Sequence, residues 1–424
     1  MKKLIFNLIV FGLMISHDVF SQNIMKKCAI PENRSERILQ QNRKLQDKID
    51  EFLLKTDFSS SKEEKVIKIP VVIHVIHNNL AGIIGGKDNG NISDEQIYSQ
   101  IRVLNEDYRK LANTPGFNSS PVGADMMIEF FLAKTDPTGK PTTGINRVYN
   151  SKKEFDVFND NYLLSNLSYW DSAKYLNIWV TTLADNYLGY AEFPGGNFDG
   201  LELEDIDAEI DGAIIDHHAF GRQIGTANDG VYTYGRTLTH EIGHWFGLIH
   251  TWGDEYCGTD YCEDTPPAER GNLGTKCNAI FSECKGTRTQ NMIENFMDYT
   301  ADSCMNIFTS DQKNRVRAIL ELSKRRKKLI ANAEFDLPDV ENLQVRVLEN
   351  PTENESIAVQ ILVKDTEDIE YFVIDQKGNI LSNIDLNDTP SRIILIPRNI
   401  LSPGINHLRV KTATEEISKK LISR

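Results

Sequence analysis

Three histidines within residues 240–250 constrain the fold and the chemistry of this chain more than any other feature. The stretch reads HEIGHWFGLIH and fits the pattern HExxHxxGxxH. On a helix, His240 and His244 project from one face about one turn apart, as two ligands of one metal ion must. His250 reaches the same ion only if the chain first leaves the helix. Gly247 permits this exit, because glycine tolerates the positive φ that ends a helix.

Three imidazole ligands leave one position of a tetrahedral zinc ion open. A structural zinc site fills all four positions with protein ligands, whereas a hydrolytic site keeps one for a water molecule, which the ion makes nucleophilic near neutral pH. Glu241 directly follows the first ligand and is the candidate general base. An amphipathic core helix with incidental histidines is the alternative, but shuffling this composition would give the pattern in roughly one chain in 10⁵. The motif therefore predicts a zinc hydrolase.

Composition and charge limit the organisation and the partners of the chain. Its 424 residues, 40% of them apolar, are enough for two or more folded units with a substantial core. The net charge of −14 lacks the basic footprint that phosphate backbones select. We therefore expect several folded units and no nucleic-acid partner.

Residues 1–21 have the pattern of a signal peptide. Lys2 and Lys3 provide the charged start, and residues 4–15 form an apolar stretch that is too short to span a bilayer permanently. No other stretch is apolar enough to cross a membrane, so no transmembrane segment is expected in the mature chain. The protein is therefore predicted to be secreted or to lie on the cell surface.

Residues 22–62 are interpreted as a pro-segment, with a plain N-terminal extension as the alternative. Residues 32–54 carry apolar positions among charges and contain neither Gly nor Pro, which predicts a surface helix. Residues 59–62, with the sequence SSSK, then form a flexible joint before the catalytic region.

The region before the histidine motif predicts strands and one long helix. Residues 66–76 are β-branched and nearly continuous, which is typical of a strand buried on both faces. His74 and His77 belong to this strand, and we interpret them as core residues because the motif already supplies three ligands. A capping sequence predicts a helix over residues 93–111. Further strands are predicted at residues 127–133, 175–183 and 212–215.

An exported protein with six cysteines is expected to contain disulfides. Cys28 stands alone near the start of the chain. The other five crowd together after the histidine motif: Cys257, Cys262, Cys277, Cys284 and Cys304. Because five is odd, at least one of these thiols must stay free, pair with Cys28 or pair with another chain. The sequence alone leaves the pairs open.

The region after the motif carries a family resemblance. Met297 lies in the stretch NFMDYT at residues 295–300. The pattern HExxHxxGxxH with a downstream methionine turn is the metzincin arrangement. Trp245 after the second histidine, the DTP sequence at residues 264–266 and the MDY sequence before Asp302 resemble the pappalysin branch of the metzincins.

The resemblance implies an α+β fold and a catalytic centre. The catalytic domain would span residues 63–335, with a twisted mixed sheet, long helices and the zinc ion in a cleft. His240, His244 and His250 would be the zinc ligands. Glu241 would be the general base, which must lie within reach of the water on the zinc ion.

Three further roles follow from the resemblance. Met297 would form the apolar floor beneath the ion, and Tyr299 would steady the developing oxyanion, which needs a donor besides the metal. Asp302 would lie at the bottom of the pocket for the side chain that follows the scissile bond, so cleavage before Arg or Lys is expected. The alternative is that Asp302 is an exposed acidic residue of a loop.

Disulfides and structural calcium are also family features. The resemblance pairs Cys277 with Cys304, and Cys284 with either Cys257 or Cys262. Calcium would need hard oxygen ligands, which the acidic loop after the motif offers. The candidates are Asp254, Glu255, Asp260, Glu263 and Asp264.

Cys28 is the one cysteine between the signal peptide and the catalytic region, and we predict that it is a latency switch. A thiolate is a good fourth ligand for zinc, so its sulfur would occupy the open position and keep the precursor inactive. Pappalysins use such a switch, typically in a Cys-Gly context, whereas Ala29 follows here. A disulfide to the odd thiol of the later cluster is the alternative.

Residues 340–424 form short strands separated by turn residues, which predicts a small β-sandwich. The NP pair at residues 350–351, the QKG turn at residues 376–378, the LSPG sequence at residues 401–404 and a lysine-rich end resemble the C-terminal sorting domain of bacterial type IX secretion substrates. Type IX secretion machinery is therefore an expected partner. That family usually has an aromatic residue soon after the late glycine, where this chain has INH at residues 405–407, so a plain accessory sandwich is the alternative.

Together these patterns predict a secreted zinc metalloendopeptidase that is made as a precursor and acts on proteins or peptides. Two other functions are compatible with the sequence: a zinc hydrolase of small peptides or other amides, and a non-catalytic binding or adhesion protein carried by the sandwich. The intact Glu241 argues against a non-catalytic protein.

Overall fold

The computed structural model describes residues 26–29, 35–55, 65–194, 198, 207–333, 342–347, 356–363, 367–389 and 392–423. The predicted signal peptide, the joint at residues 59–62 and the pair at residues 350–351 lie outside these ranges. No helix within the described ranges is long and apolar enough to cross a bilayer.

The helices and strands fall into three groups along the chain. Up to the histidine motif they are α1 (Ser35–Lys55), β1 (Ile67–His77), α2 (Asp94–Tyr108), β2 (Ile128–Leu132), β3 (Ile145–Tyr149), α3 (Asn161–Leu167), β4 (Leu176–Thr181), β5 (Gly189–Ala191), β6 (Gly212–Asp216) and α4 (Arg236–Trp245). Next come β7 (Phe281–Cys284), β8 (Thr287–Gln290), α5 (Ser310–Leu322) and α6 (Lys324–Ala333). The last group is β9 (Gln344–Val347), β10 (Ser356–Leu362), β11 (Glu367–Ile374), β12 (Ile380–Thr389), β13 (Arg392–Pro397), β14 (Gly404–Lys411) and β15 (Glu416–Ser423).

A six-stranded mixed sheet forms the centre of the catalytic region. Its strand order is β2-β1-β4-β6-β5, and β3 pairs with the second half of β1. All neighbours are parallel except β5, which runs antiparallel to β6 at one edge. Strand β1 is buried from Ile69 to His77, as its continuous β-branched run predicts.

Helices α2 and α4 pack together and place the histidine motif in the core. Helix α2 begins after Ser93, whose hydroxyl accepts a hydrogen bond from the Gln96 N–H at 3.2 Å, as the capping sequence predicts. At the other end of α2, the Tyr108 hydroxyl donates to the carbonyl of Thr239 in α4 at 3.1 Å. Every residue of α4 is buried, and the helix contacts β5 and β6. The motif therefore lies at the antiparallel edge of the sheet.

Two disulfides hold the region after α4. The bonded pairs are Cys257 with Cys284 and Cys277 with Cys304. Cys262, also a disulfide candidate, is instead a free and buried thiol, because Cys284 is already bonded to Cys257. Cys28 is free as well, so the alternative disulfide to the later cluster is absent.

The C-terminal region forms two antiparallel sheets, with strand orders β13-β10-β9 and β12-β11-β14-β15. Along β14 buried residues alternate with less buried ones, so one face of the strand points inward. Inward residues of both sheets form one apolar cluster, which includes Val359 of β10, Val373 of β11 and Val410 of β14. The predicted α+β architecture with a C-terminal all-β sandwich is confirmed. The domain boundaries themselves stay predictions.

Candidate active site

The end of α4 turns the chain back toward the two helical histidines. Gly247 has a φ of +88°, and its N–H donates to the carbonyl of His244 at 2.8 Å. This left-handed residue ends the helix where the sequence predicts the exit. A Cβ at this position would also lie 3.0 Å from the side chain of Ile319, so any larger residue meets both strain and crowding. The turn lets His250 reach the site three residues later.

The three imidazoles meet at one point. Their Nε2 atoms lie 3.1 Å (His240 to His244), 3.1 Å (His244 to His250) and 3.2 Å (His240 to His250) apart. Each Nδ1 has an acceptor of its own: the carbonyl of Phe296 at 2.7 Å, the carbonyl of Leu248 at 2.9 Å and the carboxylate of Asp254. Because these acceptors hold a proton on Nδ1, the three Nε2 lone pairs face one another.

This arrangement fits a zinc ion. With Zn–N bonds of about 2.0–2.1 Å, nitrogens 3.1–3.2 Å apart subtend about 100° at the ion, which is close to a tetrahedral angle. Burial and the neighbouring imidazole lower the pKa of His244 to about 3, and burial lowers the pKa of His240 well below its usual range. Both rings are therefore neutral, as metal ligands must be.

His250 lies outside the helix and is held by its surroundings. Its ring stacks on Trp252, with the centroids 4.4 Å apart and the planes at 8°, and the ring of Tyr299 packs edge-on at 4.8 Å. The carboxylate of Asp254 accepts the proton of its Nδ1. The sequence patterns did not single out Trp252 and offered Asp254 only as one of several calcium candidates. Their positions, two and four residues after the third ligand, were the available signal.

Glu241 is fully buried beside the histidines. Its Oε2 accepts a hydrogen bond from the thiol of Cys28 at 3.7 Å, and its Oε1 has no hydrogen-bond partner among the described residues. Burial raises the pKa of Glu241 to about 8, against the opposing effects of Cys28 and Lys27. Gly189 of β5 makes room for this side chain, since a Cβ there would lie 2.8 Å from Glu241 Cγ. The carboxyl group therefore has an oxygen available for proton transfer.

Met297 and Tyr299 lie on the turn next to the histidines. Met297 is fully buried, and its sulfur packs so closely on Gly243 that a Cβ there would collide with it. The ring centroid of Tyr299 lies 5.7 Å from that of His240, and its phenol interacts electrostatically with the thiol of Cys28. Burial raises the pKa of Tyr299 well above its usual range, so the hydroxyl keeps its proton. An apolar floor and a hydroxyl donor are thus both available.

Asp302 is fully buried, and its carboxylate lies beside the N-terminal segment. Its Oδ2 accepts hydrogen bonds from the backbone N–H groups of Tyr234 and Arg236, both at 3.1 Å. The Arg236 guanidinium donates to the Asp302 carbonyl at 2.7 Å. Its Oδ1 accepts no hydrogen bond from the described residues and faces the ammonium of Lys27 at 3.7 Å. The alternative of an exposed loop residue is therefore wrong.

Lys27 pairs with this carboxylate, and the sequence patterns did not single it out. The residue is 1% exposed, and its ammonium donates to the carbonyl of Thr300 at 3.1 Å. The ammonium also lies 5.5 Å from the ring centroid of Tyr232. Burial lowers the pKa of Lys27 to about 8, although Asp302 acts in the opposite direction. Its position directly before Cys28 was the signal, given an acidic pocket beside the zinc ligands.

Cys28 faces the three histidines. Its sulfur and one ring nitrogen of each histidine all lie within 4.8 Å of one another. The surrounding segment pairs with the edge of the sheet, because the Lys26 N–H donates to the Asn186 carbonyl at 2.9 Å and the Ala29 N–H donates to the Gly189 carbonyl at 3.1 Å. The bridge between this segment and the sheet edge is parallel. The N-terminal segment therefore crosses the cleft over the metal position.

Helix α1 attaches the same segment to the catalytic region at a second place. Leu45 and Ile49, each 1% exposed, pack against α5 around Ile319. The Arg315 guanidinium of α5 donates to the side chain of Gln46. The predicted helix is thus present over Ser35–Lys55, while residues 32–34 lie outside the described ranges. Leu45 and Ile49 of its apolar face are buried on the catalytic region.

The remaining candidate residues lie elsewhere. His74 is in the core, where its ring nitrogens lie 2.7 Å from Ser168 Oγ and 2.9 Å from Asn177 Oδ1. Neither His74 nor His77 belongs to a group of metal-ligating side chains in the described ranges. The acidic calcium candidates also form no group of three ligand atoms within 4.8 Å among the described residues. Calcium therefore stays an expectation from sequence.

Known proteins resemble this chain in sequence. Residues 159–321 match the family Peptidase_M43, described as pregnancy-associated plasma protein-A. An extracellular metalloprotease of Verticillium alfalfae is 31% identical over 234 residues, which are 54% of this chain and 69% of that protein. The chain belongs to the Peptidase_M43 family. Another Peptidase_M43-like relative, extracellular metalloprotease 1 of Coccidioides posadasii, is 29% identical over 254 residues, or 60% of this chain and 76% of that protein.

Solved structures extend this similarity to three dimensions. A promirolysin mutant of Tannerella forsythia has a TM-score of 0.61 and 35% identity, over 74% of this chain and 100% of that chain. Mature mirolysin of the same organism, in complex with a cleaved peptide, has a TM-score of 0.56 and 39% identity, over 65% of this chain and 100% of that chain. This Peptidase_M43 chain is a metalloendopeptidase with a metzincin fold, and the predicted pappalysin resemblance is confirmed. The resemblance of residues 340–424 to a sorting domain stays a prediction.

Proposed function

We propose that this Peptidase_M43 protein is a secreted zinc endopeptidase that cleaves before Arg or Lys and is made as a latent precursor. One observation carries the proposal. Two consecutive residues of the N-terminal segment occupy both parts of the site, since Cys28 faces the three histidines and Lys27 enters the pocket that ends at Asp302. The segment therefore takes the position of a ligand on the metal and of a basic side chain in the pocket.

The histidines and Glu241 supply the hydrolytic chemistry. The three Nε2 atoms would hold zinc, which when bound makes water nucleophilic near neutral pH and polarises a carbonyl. Glu241 Oε1, which has no hydrogen-bond partner among the described residues, would accept the proton of the attacking water and later pass it to the leaving amine. Opening of the cleft to solvent would relieve part of the burial that raises the pKa of Glu241, so the carboxylate form becomes available.

Tyr299 would provide the second donor to the oxyanion. Its hydroxyl stays protonated because burial raises its pKa, and in the precursor its phenol interacts electrostatically with the thiol of Cys28. Departure of Cys28 would leave that donor directed at the same position beside the three histidines. A donor fixed in advance at the point where negative charge develops stabilises the transition state.

The geometry of Asp302 supports a preference for basic side chains. Two backbone N–H groups hold Oδ2, while Oδ1 is directed at the ammonium of Lys27. A neutral side chain in this pocket would leave a buried carboxylate unpaired, which is costly, whereas an extended cation pairs with it. Lys27 supports this proposal because the ammonium of a lysine already lies 3.7 Å from this carboxylate.

Latency is supported by the backbone around Cys28. Pappalysins typically place glycine after the switch cysteine, but Ala29 does not adopt a positive φ here, so a glycine is not required. The Ala29 N–H donates to the Gly189 carbonyl in a strand-like arrangement. Cys28 would fill the fourth zinc position in the precursor, and removal of residues 22–62 would free it.

Export of the protein, type IX secretion machinery as a partner and calcium as a cofactor are also proposals. The relatives are named extracellular metalloproteases, and the two disulfides suit an oxidising compartment. The C-terminal sandwich would act as a type IX sorting domain, and calcium would act as a structural cofactor. Deleting residues 340–424 is expected to retain the enzyme inside a host with type IX secretion. Export of the truncated chain in that host would remove the sorting role.

Cleavage-site profiling on a denatured proteome tests the enzymatic proposal. The mature enzyme is expected to cut before Arg and Lys, to stop when zinc is chelated and to recover when zinc is restored. Cuts spread evenly over neutral and basic residues would contradict the specificity. Activity restricted to dipeptides would instead indicate a hydrolase of small peptides.

A cysteine variant tests latency on the full precursor. Cys28→Ala is expected to show activity on a fluorogenic peptide without added protease, because the fourth position is no longer filled. Cys262→Ala, which removes the other free and buried thiol, is the matched control and should stay inactive. A folded Cys28→Ala precursor that is as silent as the wild type would rule out the switch.

A further inference from the structure

A second group of metal-ligating side chains lies at the C-terminal end of β6. Asp216 ends this strand, and His217 and His218 begin the 3-10 turn that follows it. One ligand atom from each of the three residues lies within 4.8 Å of the other two. In the described ranges, only this group and the one around His240 bring three such side chains so close together.

The carboxylate of this group is held in place by the backbone. Its oxygens accept hydrogen bonds from the Leu183 N–H at 2.8 Å and the His218 N–H at 2.9 Å. The same Asp216 oxygen lies 2.8 Å from Nδ1 of the His218 ring. This contact already holds the two side chains together, which lowers the cost of ordering them on binding, and a bound ion would displace the proton that lies between the two atoms.

His217 brings a buried nitrogen without a partner. The residue is 3% exposed, yet its Nδ1 has no hydrogen-bond partner among the described residues. Its ring lies beside that of His218, with the centroids 3.9 Å apart and the planes at 35°. An unpaired buried polar atom is unfavourable and calls for an explanation in a native structure. A metal ion bound to this nitrogen would be such an explanation.

We propose that Asp216, His217 and His218 bind a divalent transition-metal ion at a second site, separate from the three-histidine centre. Two imidazoles and one carboxylate suit Zn²⁺, Cu²⁺ or Ni²⁺, whereas Ca²⁺ and Mg²⁺ prefer oxygen ligands throughout. Asp88, on the neighbouring loop, acts electrostatically on both imidazoles and adds negative charge to the site.

The site connects to the edge of the catalytic cleft through the backbone. The Asp216 N–H donates to the Leu188 carbonyl at 2.9 Å, and the Leu188 N–H donates to the Lys26 carbonyl at 3.0 Å. The loop before α2 also packs on the site, because a Cβ at Gly90 would lie 3.5 Å from the ring of His217. A bound ion would therefore stabilise the contact between this loop and the end of β6. Both lie next to the sheet edge that pairs with the N-terminal segment.

Metal stoichiometry of the full-length precursor tests the proposal without any activity assay. The metal-free protein is equilibrated with Zn²⁺ in the presence of excess Ca²⁺, which occupies oxygen-only sites, and bound zinc is measured by elemental analysis. The wild type is expected to bind two zinc ions per chain, and both His217→Ala and His218→Ala are expected to bind one. His240→Ala should also keep one, at the second site.

The controls separate this site from unspecific binding. His407→Ala removes an exposed histidine of β14 and should leave two zinc ions bound. His218 is partly exposed, so its variant is expected to fold even if His217→Ala does not, and circular dichroism checks both. A wild-type precursor with a single zinc ion that disappears in His240→Ala would overturn the proposal. Two zinc ions retained in a folded His218→Ala protein would overturn it as well.

Discussion

The histidine centre and the Asp302 pocket lie side by side but are built in opposite ways. The centre takes all three ligands from residues 240–250, and every imidazole has its own acceptor at Nδ1. The Asp302 carboxylate is instead held by backbone N–H groups at the start of α4 and faces Lys27 of the N-terminal segment, both of them distant from it in sequence. One carboxylate oxygen of Asp302 is available to a basic side chain. The three histidines would leave one coordination position of a bound metal ion open. The centre is thus built from local geometry, whereas the proposed specificity site depends on long-range packing.

Removal of the base should disable the centre and leave the pocket intact. Glu241→Ala is expected to lower kcat/KM by at least about 10²-fold, because the attacking water loses its proton acceptor. Zinc content should match the wild type, and the residual activity should keep its Arg/Lys preference. Glu321→Ala, an exposed change on α5, is the control. Full activity in a zinc-replete Glu241→Ala enzyme would show that another group moves the proton.

Removal of the charge of Asp302 should lower the Arg/Lys preference and leave the histidine centre intact. Asp302→Asn keeps an oxygen that accepts from the Tyr234 and Arg236 N–H groups but removes the charge. A hydrogen bond to a charged group contributes about 1.5–3 kcal/mol, so discrimination in favour of Arg and Lys should fall about 10–100-fold. A peptide library read by mass spectrometry measures this ratio. If the preference is unchanged, Asp302 does not line the pocket.

Loss of the acceptor on the third ligand should weaken the centre more mildly. Asp254→Ala is expected to lower zinc affinity by about tenfold or more, because the carboxylate orients His250 and raises its basicity. Zinc competition with a chelator measures this affinity, first without calcium and then with a saturating amount. If saturating calcium restores the zinc affinity of the variant, Asp254 belongs to a calcium site and does not act mainly by orienting His250.

The smallest effect is expected from the replacement of Lys27, measured as the activity of the precursor. Loss of its ammonium would leave the buried Asp302 carboxylate unpaired and loosen the segment, but Cys28 and helix α1 would still hold the segment in place. Lys27→Ala should therefore raise the activity of fresh precursor only a few-fold, well below Cys28→Ala. Lys26→Ala is the control, since that exposed ammonium lies over the Tyr187 ring at 4.5 Å. Lys27→Ala activity equal to that of Cys28→Ala would show that the pocket holds the segment.

The same contrast explains what the sequence could predict. The histidine spacing, the helix exit at Gly247 and the buried run of β1 are local patterns, and the structure contains all three. Lys27 was missed because its hydrogen-bond partner lies 273 residues away, and no local pattern records such a contact. The contact of Asp254 with His250 was missed because an acidic loop does not reveal which partner each carboxylate faces. The choice between two cysteines for Cys284 likewise depended on where the β7–β8 hairpin folds back.

The packing of α1 has a consequence for handling the mature enzyme. Leu45 and Ile49 cover a patch that contains Phe198, Ala318 and Ile319, with Phe193 and Leu322 at its margin. Removal of the segment would bare this apolar area to water, and such patches promote association between molecules. Light scattering of precursor and mature enzyme at equal concentration would show the difference, with an equally dispersed mature enzyme contradicting it. The N-terminal segment would then act as a solubility shield, and storage of the protein in its uncleaved form would keep it monodisperse.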